Sequence, residues 1–135
     1  PAGSGDLPSR WVLPDEILTL PPVPAGQAAE ILNGWLAYYL IGQTRPLPFF
    51  PKTSLAAAQT LLSESKKSED EKLQAARKAA ATHYFGGKMN VGQADYAEVA
   101  LVFGKDETPP IESELFWLLV ENLLLPTLSA LQEAV

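Results

Sequence analysis

The spacing of hydrophobic and polar residues changes several times along the chain, and each change marks a predicted element. Near the start, two short apolar runs, Trp11-Val12-Leu13 and Ile17-Leu18-Thr19-Leu20, flank Pro14-Asp15-Glu16. This pattern is typical of a β-hairpin. The prolines at positions 21, 22 and 24 cannot donate ladder hydrogen bonds, so they end the second strand and lead into an extended connection.

Apolar residues then recur at steps of three and four from Ala25 to Ile41, which predicts one amphipathic helix. Gly42 is a natural end for this helix. Its buried face is expected to contain Ala28, Ile31, Leu32, Trp35, Leu36 and Tyr39.

A proline-rich segment from Arg45 to Pro51 follows, in which three prolines bracket Leu47, Phe49 and Phe50. Prolines at this density predict a rigid extended chain rather than a helix. Such a segment exposes large apolar groups unless it packs onto its surroundings. We therefore expect Phe49 and Phe50 to fill a pocket lined by helix residues such as Trp35.

Two further helices are predicted between Thr53 and Phe85. Thr53 or Ser54 is expected to cap a short one, and Ser68 with Glu71 forms a capping box that begins the second. Gly86-Gly87 ends the second helix. The inner faces are expected to be Leu55, Ala58, Leu61 and Leu62 in the first helix, and Leu73, Ala76 and Ala80 in the second.

The remainder predicts a loop and two more helices. The stretch Lys88 to Gly92 is assigned to a loop, and Tyr96, Val99, Ala100 and Phe103 match helical spacing up to Gly104. Pro109 and Pro110 suit the first turn of the last helix. Together these elements predict a mostly helical α+β fold, with an N-terminal β-hairpin followed by about five helices.

The last helix is apolar almost all round, and Leu115 to Val120 are six consecutive apolar positions. One neighbour cannot bury them all, so part of the helix should meet a partner or solvent. Glu114 and Glu121 mark the expected solvated stripe, with Phe116 or Trp117 at its boundary. Pro126 is expected to kink or break the helix.

Composition narrows the class of protein. The 135 residues carry a net charge of −6 and no cysteine, which excludes disulfides and thiolate metal sites and disfavours autonomous DNA binding. The absence of cysteine also removes the argument for an oxidising compartment, so we expect a cytoplasmic location. No apolar run approaches the roughly 20 residues that span a bilayer, so we expect no membrane partner. We expect residues 1–8 to be a linker and 9–135 to be a domain fragment.

Candidate catalytic residues are few. His83 is the sole histidine and is expected to be a partly buried structural residue. Asp70-Glu71-Lys72 and Glu64-Ser65-Lys66 match the letters of a D/ExK nuclease, which uses carboxylates to hold magnesium. Both triplets fall at predicted helix ends in a charge-rich stretch, so we expect no catalytic residue and no metal site.

The proline-rich segment also carries a family resemblance. Arg45-Pro46-Leu47-Pro48-Phe49-Phe50-Pro51-Lys52-Thr53-Ser54-Leu55-Ala56 resembles the hallmark near the C-terminus of the RecC family. Trp35-Leu36-Ala37-Tyr38-Tyr39 is similar to the family's preceding helix, and Leu123-Leu124-Leu125-Pro126-Thr127-Leu128 to its closing apolar stretch. This chain departs from the family pattern at Gly92-Gln93-Ala94-Asp95-Tyr96-Ala97. The resemblance spans about residues 9 to 135.

This resemblance implies a non-catalytic domain related to the restriction-endonuclease-like fold, in a scaffold subunit of the RecBCD helicase-nuclease. RecB and RecD would be its partners, and DNA would be met through the whole complex during double-strand break repair and recombination. RecC would split the duplex, guide the strands and help to read Chi, while its partners use ATP and Mg²⁺. The segment itself would need no cofactor.

Residues expected to serve interaction or structure are Trp35, Pro48, Phe49, Phe50, Pro51, Phe116 and Trp117. Two alternatives stay open at the level of sequence. One is a free-standing helical adaptor that binds a partner through the Leu115 to Leu125 face. The other is a small nuclease that uses Asp70 or Glu64.

Overall fold

The computed structural model describes residues 9–12, 14, 17–20, 22–63, 68–87, 90–104 and 108–132. The expected linker at 1–8 lies outside these residues. The described chain is mostly helical, with two small antiparallel strand pairs. Its elements are β1 (Ser9–Val12), β2 (Ile17–Leu20), α1 (Ala25–Gly42), α2 (Pro51–Ser63), α3 (Glu69–Phe85), β3 (Gly86–Gly87), β4 (Asn90–Val91), α4 (Ala97–Phe103), α5 (Glu114–Leu119) and α6 (Leu125–Gln132).

The strands form two separate antiparallel pairs. β1 pairs with β2 so that Ser9 lies opposite Leu20 and Val12 opposite Ile17. β3 pairs with β4 in mid-chain, which corrects the loop that the sequence predicts from Lys88 to Gly92. The hairpin forms there because Gly86 adopts a φ of +73°, a conformation open to glycine, and turns the chain back directly after α3.

Helix α1 has the predicted bounds but not the predicted buried face. All 18 of its residues are described, and none is fully buried. Leu32, Leu36 and Tyr39 are 59%, 49% and 62% exposed, so their assignment to the core is wrong. The helix instead contacts the C-terminal helix through its other side, where Tyr38 Oη accepts a 3.0 Å hydrogen bond from Asn122 Nδ2.

Helix α2 begins at Pro51, so this residue belongs to the helix rather than to the extended segment. Thr53 and Ser54 are not its caps, because both lie inside the helix and are fully buried. The Ser54 hydroxyl accepts a hydrogen bond from the backbone N–H of Phe50 at 3.1 Å. Leu55, expected on the inner face, is 37% exposed.

Helix α3 follows its sequence pattern closely. The Ser68 side chain accepts from the Glu71 N–H, and the Glu71 carboxylate accepts from the Ser68 N–H, which confirms the capping box. Ala76 and Ala80 are fully buried. Because alanines leave little bulk between helices, α3 packs extensively on α2, whose own buried face includes Ala57 and Ala58.

The C-terminal helical run extends from 114 to 132, and Pro110–Glu112 forms a separate 3₁₀ turn before it. Pro109 and Pro110 therefore precede the helix, and Ser113 is its cap. Pro126 does not end the run, because the preceding turn, Val120–Leu124, widens into a π-helix. The wider turn accommodates a residue that has no N–H to donate.

Residues Glu114–Leu131 are the one described stretch that is long and apolar enough to cross a membrane, with a mean hydropathy of 1.4. This corrects the expectation that no apolar run approaches that length. Glu121 interrupts the run but leaves its mean hydropathy high. The stretch is used inside the fold, since Phe116, Leu119 and Val120 are at most 1% exposed. Phe116 and Val120 belong to a core cluster that also contains groups from α2 and α3.

Candidate functional site

The proline-rich segment places its two phenylalanines in different surroundings. Residues 46–50 form no regular secondary structure, as predicted, and Pro48 is buried. The backbone turns tightly at this proline, because the Phe49 N–H donates to the Leu47 carbonyl at 2.8 Å. As a result Phe50 enters the core while Phe49 stays half-buried beside α1.

Phe50 is the centre of an aromatic cluster and is only 2% exposed. Its ring centroid lies 5.0 Å from that of Tyr84, 5.3 Å from that of Phe103 and 6.4 Å from that of Phe116. These distances are within the range of favourable aromatic pairs. The cluster therefore joins the segment to α3, α4 and α5. Burial also raises the pKa of the Tyr84 hydroxyl above its ordinary value.

Phe49 packs edge-on against Trp35, with centroids 5.8 Å apart and planes at 84°. The predicted contact with Trp35 thus holds for Phe49, whereas Phe50 lies among other rings. Both Phe49 and Trp35 line a cleft of about 270 Å³ between α1 and the C-terminal helix, together with Leu119 and Leu123. The cleft therefore lies where α1 packs against the C-terminal helix.

Phe116 and Trp117 differ in exposure. Phe116 is fully buried, so it is not a boundary residue of the C-terminal helix. Trp117 is half-buried, and the Arg77 guanidinium carbon lies 5.9 Å from its ring centroid. Glu114 and Glu121 are exposed, as predicted, and Leu118 is 39% exposed.

An apolar surface on α1, which we call the α1 outer face, was not predicted. It consists of Leu32, Leu36, Tyr39 and Leu40, which follow one another at helical spacing and are 49% to 65% exposed. A signal for it exists in the sequence. Residues 25–42 hold a single charged residue, Glu30, so the helix has more apolar positions than one neighbour can cover.

The D/ExK letters do not form a nuclease site in α3. Asp70 is exposed in the first turn of a helix, not at a strand end. Lys72 Nζ binds Glu69 Oε1 at 2.7 Å, and Glu71 serves the capping box. The second triplet, Glu64 to Lys66, lies outside the described residues. Across the described ranges, no three His, Asp or Glu side chains are grouped as a metal site would require.

His83 is exposed near the end of α3, which corrects the expectation of a partly buried structural histidine. The side chain lines a second cleft with Lys52 and Gln93. The amide oxygen of Gln93 accepts a 2.8 Å hydrogen bond from the Thr53 N–H, at the start of α2. Sequence analysis missed this contact because 40 residues separate its two partners.

One stretch of the chain resembles a known family. It contains the β1–β2 hairpin, α1, α2 and the proline-rich turn, as we call residues 46–50. Residues 7–62 match the RecC C-terminal domain. The match confirms the resemblance over this stretch, which includes Trp35, the α1 outer face and both phenylalanines. Residues 63–135 lie beyond the matched RecC stretch, and there the resemblance stays a prediction. No curated protein and no solved structure matches the chain significantly.

The stretch that matches RecC contains both the buried Phe50 and the exposed α1 outer face. Within the matched stretch, the inner side of the proline-rich turn fills the core through Phe50, while α1 turns its outer face to solvent. The same stretch therefore has a packed side and an unpacked apolar side. Large contiguous exposed apolar patches are often interaction surfaces.

Proposed function

We propose that this chain is a non-catalytic scaffold and interaction segment of a RecC subunit, and that it works within RecBCD in double-strand break repair and recombination. The match of residues 7–62 to the RecC C-terminal domain carries the proposal. RecB and RecD are the proposed partners, in the cytoplasm. These partners would supply ATP hydrolysis and Mg²⁺-dependent cleavage, and DNA would be reached through the complex.

The α1 outer face is the proposed contact with the larger assembly. Its four side chains are uncharged, and α1 carries its one charge at Glu30. Covering apolar surface stabilises an association by roughly 25 cal/mol for each Å² removed from water. The proline-rich turn would support this surface from beneath, because Phe49 holds Trp35 and thereby fixes how α1 sits on the core.

The non-catalytic part of the proposal is supported by how the candidate carboxylates are used. Asp70 is exposed in the first turn of α3, while Glu71 caps the helix and Lys72 pairs with Glu69, so the triplet takes part in local contacts of one helix end. We expect the chain to leave linear duplex DNA intact in the presence of magnesium. Degradation that disappears in Asp70→Ala would contradict this.

Co-expression with RecB and RecD tests the interaction role. The wild-type chain should co-purify with them, and Leu40→Glu should reduce the recovered amount, because a carboxylate would then face an apolar partner surface. Leu101→Glu is the matched control, since Leu101 is 86% exposed on α4, outside the matched stretch. Recovery of Leu40→Glu at the wild-type level would remove the α1 outer face from the interface. Failure of the wild type to co-purify would favour a free-standing adaptor.

A further inference from the structure

A cleft of about 500 Å³ lies on the side of the fold where the start of α2 meets the end of α3 and the β3–β4 hairpin. The side chains that reach it include Lys52, His83, Asn90, Gln93 and Tyr96. This cleft is separate from the α1 outer face and plays no part in the proposed assembly role. Three features of its lining specify what it can bind.

Gln93 is the most buried polar side chain of the cleft, with only 6% of its surface exposed. Its Oε1 accepts from the Thr53 N–H at 2.8 Å, and because an N–H can donate only to the oxygen, this bond sets the orientation of the amide. In the described part of the chain, the Thr53 hydroxyl is the one buried side-chain polar atom without a partner. Gln93 lines the cleft, and with its oxygen held by Thr53 the NH₂ group of the same amide is an oriented donor.

Lys52 adds positive charge to the lining of the cleft. It is the second residue of α2, where helix geometry leaves the backbone N–H without an intrahelical acceptor. Its ammonium group has no ion-pair partner among the described residues. The positive end of the dipole of the 13-residue helix α2 lies at the same point.

The charge of this lining is unlike that of the whole chain. The net charge of the protein is −6, yet none of the described residues that line this cleft is acidic. His83, Asn90 and Tyr96 add further hydrogen-bond donors. Donors converging from several elements, beside a cation and without a carboxylate, match the requirements of a small oxyanion.

We propose that this cleft binds a phosphate group, held by Lys52, the Gln93 amide and the start of α2. A phosphate has enough oxygens to accept from all three at once. The group can come from a free phosphate compound or from a nucleic-acid backbone. Both sources present the same chemistry to the cleft.

The test is an NMR titration of the 135-residue chain with inorganic phosphate. Saturable shifts are expected at the Lys52 N–H and the Gln93 NH₂. Lys52→Gln should weaken binding about tenfold through loss of a charge-assisted hydrogen bond. Lys78→Gln is the matched control, because it removes one charge from α3 at a residue outside the cleft, and it should change binding less than about twofold by the same reasoning.

Gln93→Glu separates binding from folding. One carboxylate oxygen can still accept from Thr53, so α2 keeps its contact, while the second oxygen replaces the donor and repels phosphate. We expect a folded variant, by circular dichroism, in which phosphate binding is lost. Undiminished binding by this variant, or equal weakening in Lys78→Gln, overturns the proposal, as does a wild type without saturable shifts.

A single-stranded oligonucleotide without terminal phosphates distinguishes the sources. Competition between it and phosphate at the Gln93 NH₂ signal identifies backbone phosphates as a source, whereas binding of phosphate alone identifies free phosphate compounds. Either result supports the site. Oligonucleotide binding that leaves the Gln93 signal unchanged, with no phosphate binding, contradicts it.

Discussion

The indole Nε1 of Trp35 donates a 3.1 Å hydrogen bond to the hydroxyl oxygen of Thr127, across 92 positions of sequence. The same hydroxyl donates to the Leu123 carbonyl at 2.6 Å, so it is used in both directions. Trp35 lies in the stretch that matches RecC, whereas Thr127 lies beyond it. This bond therefore connects α1 to the C-terminal helix.

A double-mutant cycle measures the coupling free energy of the Trp35–Thr127 hydrogen bond. Trp35→Phe, Thr127→Val and the double variant should give a coupling free energy of about 0.5 to 1.5 kcal/mol in chemical unfolding, as expected for a hydrogen bond of this kind. Tyr38→Phe with Asn122→Ala is the control cycle, because that hydrogen bond is exposed and should couple more weakly. Additive effects at Trp35 and Thr127 would mean that the bond contributes nothing to stability.

Phe50→Ala should be the most damaging change in the proline-rich turn. Truncating a buried phenylalanine costs about 3 to 5 kcal/mol, a large share of a domain's stability. Phe85→Ala serves as a matched control, since Phe85 is 53% exposed and should cost only about 1 kcal/mol. Thermal unfolding by circular dichroism compares the two. Similar melting temperatures for both variants would show that Phe50 does not anchor the core.

Gly86 and Gly87 should respond very differently to alanine. Gly86 has φ +73° and ψ −164°, and a Cβ there would lie 2.4 Å from the Gly92 nitrogen. Gly86→Ala should therefore lower the free energy of unfolding by at least about 1 to 3 kcal/mol. A Cβ at Gly87 meets nothing within 4 Å, so Gly87→Ala should be nearly neutral. Equal effects in urea unfolding would contradict the positive-φ turn after α3.

Tyr84 should make the fold sensitive to alkaline pH. Burial raises the pKa of its hydroxyl in the folded state, so the unfolded state loses this proton first. The resulting stability is fully present below the unfolded pKa of about 10 and is lost as pH rises through the folded pKa. Tyr84→Phe removes this contribution, so its free energy of unfolding should fall less steeply above pH 10 than that of the wild type. Parallel pH profiles would show that ionising Tyr84 costs the fold nothing.

Local signals in the sequence predicted α1, α3 and the end of α4, but not the first residues of α2 and α5. The capping box at Ser68 and Glu71, the glycine at Gly104 and the spacing of α1 each act within a few residues, so they can be identified without tertiary contacts. The prediction failed where the partner of a face is decided by the rest of the fold. The exposure of Leu32 is an example, because helical spacing identifies a face but not the side on which another helix will pack.

The clefts were even harder to predict from the sequence. Gln93 follows no motif, and its contact with Thr53 depends on the β3–β4 hairpin bringing the chain back to α2. In contrast, the proline-rich turn was predicted both as an extended segment and as a packed one. Its prolines constrain the backbone locally, and two adjacent phenylalanines are too apolar to remain in solvent.

Hydrogen–deuterium exchange tests the central claim most directly, namely that the chain is a RecC interaction segment working through α1. The chain would be measured alone and after mixing with RecB and RecD. The account predicts slower exchange across Ala25–Gly42 in the mixture, because covering Leu36 and Leu40 restrains the opening of this helix. Unchanged exchange in α1, or protection confined to Ala97–Phe103, would contradict it.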